Sequence, residues 1–236
     1  MEFERKTLSD DFFRFPHIQH LAWLGAGKPR GDKVLSPADA RALLSDEVVV
    51  EEKLDGANLG VSADPAGGLR LQNRGGYLVP PLRGQFSRTS AWLDQYGQAL
   101  QCSLGQDLIL FGEWCAARHS VAYEHLPDWF LAFDIYDREA RRFWSTSRRD
   151  DLVQTLGLAS VPRLMHGRMT LEELTQLVRT TASRFGAPRL EGVVIRRDGP
   201  GFLDQRAKLV RPEFAQTIGE HWRSRQIEWN LVDSLR

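Results

Sequence analysis

Three consecutive valines, Val48-Val49-Val50, run straight into Glu51-Glu52-Lys53-Leu54-Asp55-Gly56-Ala57-Asn58, and this junction constrains the chain more than any other stretch. A short run of β-branched residues reads as a buried strand. It delivers one lysine, flanked by acids, to the edge of a turn whose glycine supplies backbone freedom. A lysine so placed is a nucleophile once its amine loses a proton near neutral pH. From a free value of about 10.4 that takes a downward shift of roughly 2–3 units, on the order of 3–4 kcal/mol. Partial burial, a neighbouring cation or a metal ion supplies such a shift. The same residues also fit an exposed lysine on a strand end before an Asp-Gly hairpin turn, so this pattern by itself leaves both uses open.

The remaining chain narrows the choice. Its 236 residues, 42% hydrophobic and 26% charged, suffice for a proper core and have the make-up of an ordinary globule, for which one domain is the economical reading. The 31 basic and 31 acidic residues cancel, so any contact with nucleic acid needs a local patch rather than a bulk positive field. Cys102 and Cys115 form no C-x-x-C pair, which argues against structural zinc and against a disulfide scaffold. The stretch from Met1 to Asp11 is charged and carries no apolar signal run, and no segment approaches a membrane span. A cytoplasmic location without membrane contact is the expectation.

Residues 12–24 are aromatic and basic together, which suits core packing with some members left to touch a ligand. Ser36-Pro37 opens a short helix. Strands are predicted at 47–53, 59–63 and 69–73, arranged as an antiparallel meander. A helix follows at about 89–102, then strands at 107–114 and 129–136, with 142–144 as a hairpin partner. Ser147 and Thr170 are helix caps, and Thr170-Leu171-Glu172-Glu173 fits a capping box. Strands at 190–197 and 205–210 flank an Asp198-to-Gly201 turn, and the tail from Pro212, with Trp222 and Trp229, reads as helical. Many strands with interspersed helices predict an α+β fold with largely antiparallel sheets flanked by helices.

Five separated stretches carry polar groups at strand ends: Lys53 with Asp55, Gly56 and Asn58; Arg74; Phe111-Gly112-Glu113; Phe133-Asp134; and Glu191-Gly192-Val193-Val194-Ile195 with Lys208. In this order the chain resembles the covalent nucleotidyltransferases, namely ATP-dependent RNA and DNA ligases and mRNA capping enzymes. The match spans roughly residues 12–214. The K-x-x-x-x-N spacing of Lys53 and Asn58, followed by Asn73-Arg74, is similar to nick-sealing RNA ligases of the RNA ligase 2 type. So is the opening Phe13-Arg14-Phe15-Pro16-His17-Ile18. Gly112-Glu113-Trp114 with Arg118-His119-Ser120 resembles a segment of bacterial RNA ligase family members.

The resemblance implies a nucleotidyltransferase, ATP-grasp-like ligase fold and a set of roles. Lys53 would attack the α-phosphorus of ATP, with Glu52, Asn58, Arg74, Glu113, Phe133, Glu191 and Lys208 around the nucleotide. Glu113 corresponds to a ribose-binding acid, Phe133 to an aromatic stacked on adenine, and Asp134 to its neighbouring acid. Glu191 is the candidate for holding Mg2+ or Mn2+, and Lys208 for the α-phosphate. Asp55 and Gly56 shape the turn. Each residue also has a plainer use: Glu113 paired with Arg118, Phe133 alternating into the core with Leu131 and Ile135, Asp134 capping a turn, Arg74 solvated in a hairpin. His119 and His125 read as structural rather than as metal ligands. The basic run Arg138, Arg141, Arg142, Arg148 and Arg149 suits either a solvated face or an RNA backbone.

The chain departs from the family pattern in two places. Where the family commonly offers K-x-K, Arg206-Ala207-Lys208-Leu209-Val210-Arg211 has one lysine, leaving Arg206 or Arg211 as the second cation. Little sequence follows Val210, too little for an OB domain or a helical second domain. An end-healing or activating protein partner is therefore one expectation and self-sufficiency on nicked duplexes another. The substrate class implied is broken or nicked RNA. A minimal DNA ligase, an RNA/DNA nick ligase, a capping-type guanylyltransferase and an inactive RNA-end-binding protein are the competing readings.

Overall fold

The computed structural model describes residues 12–27, 29, 33–64, 66–215 and 227–233. Two antiparallel sheets form the frame. The first has the order β10-β9-β1-β8, from Leu203–Val210, Gly192–Asp198, Val48–Lys53 and Arg163–Gly167. The second runs β3-β2-β4-β5-β6, from Leu69–Gln72, Ala57–Ala63, Leu108–Trp114, Phe130–Asp137 and Arg142–Phe143, with β7 (Ala159–Ser160) parallel beside β5. The predicted meander therefore breaks at its first turn. β1 and β2 belong to different sheets, and Asp55-Gly56 is the crossing between them rather than a hairpin turn.

Alternation along β1 decides which sheet face is apolar. Val48 and Val50 pack with Val193 and Ile195 of β9, Ala207 and Leu209 of β10, Leu43 of α1 (Pro37–Leu43), and Leu174 and Val178 of α4 (Leu171–Thr180). In the second sheet Leu59, Val61, Leu110 and Ala132 face Trp92, Leu100 and Leu104 of α2 (Thr89–Leu104) and Val153 of α3 (Thr146–Thr155). The helices thus cover one apolar face of each sheet. Among the described residues, no helix is long and apolar enough to cross a membrane.

Helix starts follow local chemistry. Ser36 caps α1 through Asp39 N, and the Thr170–Glu173 capping box opens α4 as its spacing predicts. α3 differs: it begins at Thr146 rather than after Ser147, because the Asp198 carboxylate accepts from Thr146 N at 2.8 Å and caps the first turn from β9. The tail differs in its last part. α5 opens at Pro212 as predicted and is described as far as Ala215, Trp222 lies outside the described residues, and 227–233 run extended, bridging at Trp229 to Ala117 and at Val232 to Leu126.

Candidate active site

The inner faces of the two sheets border a cleft of about 680 Å3, with β1 ending at its floor. Because side chains alternate, Glu51 and Lys53 share the face opposite to Val50 and Glu52. Lys53 Nζ lies 2.7 and 2.6 Å from the two oxygens of Glu191, which sits one residue before β9. Both side chains keep limited contact with solvent, 27% and 12% exposed. Burial pushes the Lys53 pKa down, but Glu191, Glu113 and Asp55 outweigh it, and the net direction is up. This is opposite to the sequence expectation of a depressed lysine. Glu191 is pushed up by burial against the pull of Lys53.

The crossing after Lys53 is held through Asp55 and Gly56. Asp55 Oδ2 accepts from Ser120 N at 2.6 Å and Val121 N at 3.0 Å, and Asp55 N donates to the Tyr123 hydroxyl at 2.8 Å. Gly56 N donates to Glu113 Oε1 at 3.0 Å. A Cβ on Gly56 would lie 2.6 Å from the Trp114 carbonyl oxygen, so glycine is required by close approach of the two strands. Burial raises Glu113 to about 7 even though Lys53 pulls it down, since Glu191 and Asp55 add to the rise.

The second sheet contributes the opposite wall. Asn58 on β2 lines the cleft, and both its amide nitrogen and oxygen are buried without a protein partner. Arg74 reaches the rim from a turn in which Asn73 Oδ1 accepts from the amides of Gly75 and Gly76. A bulge lets two consecutive residues of β5 serve the cleft. Phe111 pairs with Asp134 and Gly112 with Ala132, which leaves Phe133 as the extra residue. The bulge breaks the alternation: Leu131 joins Cys115, Tyr123 and Val161, Ile135 joins the core under α2, and Phe133 lines the cleft and meets Phe15 edge-on at 5.3 Å.

Three assignments come out differently, for Glu52, Arg206 and Arg211, and one plainer use, for Asp134, is ruled out. Glu52 borders the cleft but turns its carboxylate to the other face of β1, where it accepts from Arg184 N at 3.0 Å. Asp134 is buried between Arg196 at 2.7 Å and Arg206, so it is an ion-pair partner rather than a turn cap. Arg206 is thereby committed to Asp134, lying over the rings of Phe15 and Phe143. Arg211 points away, donating to the carbonyls of Val178 and Arg179 at the end of α4. Neither arginine stands as a free second cation beside Lys208. Lys208 is lowered to about 8 by burial and by Lys53, with Arg74 and Lys33 adding to the fall.

Several cleft groups carried no sequence signal of their own. Glu51 pairs with Arg149 at 2.6 Å, and the carbonyl of Phe133 accepts from Arg149 and Arg196 at 2.7 and 3.3 Å. Arg149, one member of the basic run, has a side chain only 1% exposed, whereas Arg142 and Arg148 remain half exposed. His119 sits on the cleft wall, with Nε2 2.8 Å from Gln85 Oε1 and Nδ1 3.9 Å from Asp55 Oδ1. Burial lowers its pKa, leaving the ring neutral near pH 7. Its signal was the resemblance of Arg118-His119-Ser120 to bacterial family members, beside a reading of the ring as structural.

Residues 46–210 match the family model described as RNA ligase. The chain belongs to the RNA ligase family. No curated protein matches it significantly by sequence. Among solved structures, an apo variant of Naegleria gruberi RNA ligase superposes with a TM-score of 0.62 at 17% identity, over 87% of this chain and 57% of that one. Another variant of that enzyme, solved with ATP and manganese, gives 0.62 at 17% identity over 88% and 58%. An archaeal ATP-dependent RNA ligase gives 0.57 at 20% identity over 85% and 49%. This RNA ligase family member shares their fold and spans about half the length of each.

Proposed function

We propose that this chain is an ATP-dependent RNA ligase that seals 5′-phosphate and 3′-hydroxyl ends through a lysyl-adenylate on Lys53. The observation that carries the reading is one ammonium, Lys53, facing Glu191, Glu113 and Asp55 at the floor of a nucleotide-sized cleft. In the first step neutral Nζ attacks the α-phosphorus, an N–P bond forms, and the bond to the β-phosphate breaks to release pyrophosphate. The adenylate then passes to an RNA 5′-phosphate oxygen and Lys53 is regenerated. Attack by a 3′-hydroxyl on the 5′-phosphorus forms the phosphodiester and expels AMP.

The chain's own groups would share this work. Lys208 and Arg74 oppose charge on the phosphates. Phe133 offers a face to adenine, Glu113 an acceptor for the ribose, and Asn58 an amide with both polar ends unpartnered. Glu191 is the carboxylate that suits a divalent cation shared with phosphate oxygens, because both its oxygens face Lys53 Nζ, whereas Glu113 and Asp55 already accept from backbone amides. Mg2+ or Mn2+ there would neutralise charge on the α-phosphate. We read the chain as one adenylyltransferase domain; a protein partner for end healing or activation remains part of the proposal.

The test is intact-protein mass after incubation with ATP and magnesium, and separately with GTP. A gain of one AMP, absent in Lys53→Ala and absent with GTP, is expected. No gain with ATP overturns the reading, and a gain of GMP would move it to capping chemistry.

A further inference from the structure

The segment that was expected to be helical lies instead along the loop that holds the Asp55 crossing. Residues 227–233 run beside 115–126, an irregular stretch that belongs to neither sheet beyond one isolated bridge at each of Ala117 and Leu126. Arg118 N donates to Glu228 O, Asn230 N to Ala116 O, Leu231 N to Tyr123 O, and Leu126 N to Leu231 O. At the centre is Asn230, 4% exposed. Its Oδ1 accepts from Tyr123 N at 2.9 Å, and its Nδ2 donates to the carbonyls of Cys115 at 2.7 Å and Ala117 at 3.4 Å.

All three side-chain bonds of Asn230 therefore end on one loop, which is also held where Glu124 N and His125 N donate to Phe185 O, and two of that loop's amides end on Asp55. The amides of Ser120 and Val121 bind the Asp55 carboxylate, and the Tyr123 hydroxyl accepts from Asp55 N. Asp55 is two residues from Lys53. A loop without ladder bonds has little rigidity of its own and takes its shape from such side-chain clips. Trp229 adds a second brace, lying 4.0 Å from the guanidinium carbon of Arg88, whose other side meets Trp129 at 4.5 Å.

We propose that this strap is a positioning element for the nucleophile, with Asn230 as its positioning residue, acting on Lys53 through the 115–123 loop and Asp55. The inference rests on the reading of Lys53 given above. It makes the strap part of the adenylation machinery although none of its residues lines the cleft.

The experiment is single-turnover adenylation of the full chain in a double-mutant cycle of Asn230→Asp with Tyr123→Phe. Asn230→Asp is isosteric and keeps the acceptor for Tyr123 N while losing both donors. Tyr123→Phe removes the hydroxyl bound by Asp55 N and leaves the Tyr123 amide in place. Each single change should slow adenylation at saturating ATP roughly tenfold while half-saturating ATP moves less than about twofold, and the double change should cost clearly less than the product. Val178→Ala, a core truncation behind the first sheet, serves as the stability control and should adenylate at the wild-type rate below its melting temperature. Additive effects, or a rate for Asn230→Asp equal to that of the control, overturn the proposal. If Asn230→Asp does not fold, Tyr123→Phe decides alone: wild-type adenylation by it overturns the proposal and a selective loss in rate supports it. Absence of AMP transfer by the wild type would sink the reading of Lys53 itself, whereas a competent wild type with unaffected variants sinks only the strap.

Discussion

Both oxygens of Glu191 lie within 2.7 Å of Lys53 Nζ, so the proposed nucleophile and the candidate cation ligand neutralise one another. Neither group can take up its proposed work without leaving the other. An amine paired in this way is an ammonium, which cannot attack phosphorus. On the proposed mechanism, a cation that draws charge from Glu191 would also release the lysine and so would couple nucleotide loading to activation of Lys53.

This pairing sets the sign of the pH response. Burial lowers the Lys53 pKa, but Glu191, Glu113 and Asp55 raise it further, so the protonated form dominates below its elevated value. Single-turnover adenylation should climb with pH from about 6 to about 8, by up to about tenfold per unit. Glu191→Gln removes the strongest raising partner and so lowers the lysine pKa. It should nevertheless cut adenylation by at least about a hundredfold, because Glu191 is also the proposed ligand of the cation. A Glu191→Gln enzyme faster than wild type near neutral pH would show that the carboxylate only restrains Lys53.

Lys208 titrates in the opposite sense. Burial, Lys53 and Arg74 bring it down to about 8 in the free chain, while phosphate at its ammonium must raise it. Affinity for a nucleotide is therefore full below about pH 8 and lost as pH rises toward the bound-state value. Binding of a non-reactive α,β-methylene analogue of ATP should weaken across that window. Lys208→Arg, which stays charged, should bind with a flat profile over the same range. Parallel profiles for the two proteins would remove Lys208 from the phosphates.

Glu113 carries a cost that function would explain. Burial raises it to about 7, so between about pH 4.5 and about 7 the native state holds a proton that the unfolded chain has lost. Stability conferred by the protonated form is present at low pH and falls away as pH rises through that interval. Glu113→Gln keeps an oxygen for Gly56 N and abolishes the charge. It should gain on the order of 2 kcal/mol at pH 8, roughly 4–8 °C in Tm, and show no gain below about pH 4. Calorimetry at the two pH values checks it, and an unchanged Tm at pH 8 would show that Glu113 is not strained there.

What was legible in the sequence follows the reach of each signal. Val48-Val49-Val50 and the Glu-Gly start of β9 were readable because burial imposes local periodicity. Lys53, Glu113, Phe133 and Glu191 were readable because their order matches a family. The partner of a buried charge is not a local property, which is why Arg149 read as part of a surface run while it meets Glu51 from 98 residues away. Arg206 and Arg211 failed as free cations for the same reason, since Asp134 and the end of α4 claim them. Residues 227–233 depart from the helix predicted from Pro212 because their hydrogen bonds go to the 115–126 loop instead of their own backbone.

The buried Glu51–Arg149 pair tests how far the frame depends on charge. Arg149 also binds Asp150 and the Phe133 carbonyl, tying α3 to the nucleophile's strand and to the β5 bulge. Arg149→Met leaves Glu51, among the described residues, with the more distant Arg196 at 3.9 Å, and should cost about 3–5 kcal/mol. Adding Glu51→Gln should recover part of that loss in urea melts. No recovery would mean that the position of the Phe133 carbonyl, rather than the orphaned charge, accounts for the damage.

Asn58 offers the sharpest separation of binding from folding. Its amide nitrogen and oxygen are both buried and neither meets a protein partner, so the folded chain bears their desolvation without return. A residue kept for the fold would lower stability when truncated. Here Asn58→Ala should leave Tm unchanged or raise it by a few degrees, in line with about 1 kcal/mol for an unsatisfied polar group. The same change should reduce adenylation or sealing by at least about tenfold, because the amide's donor and acceptor are then missing from the nucleotide or the RNA end. Measuring adenylation and sealing of pre-adenylated RNA separately tells which of the two it touches. A fall in Tm with both rates intact would return Asn58 to the scaffold.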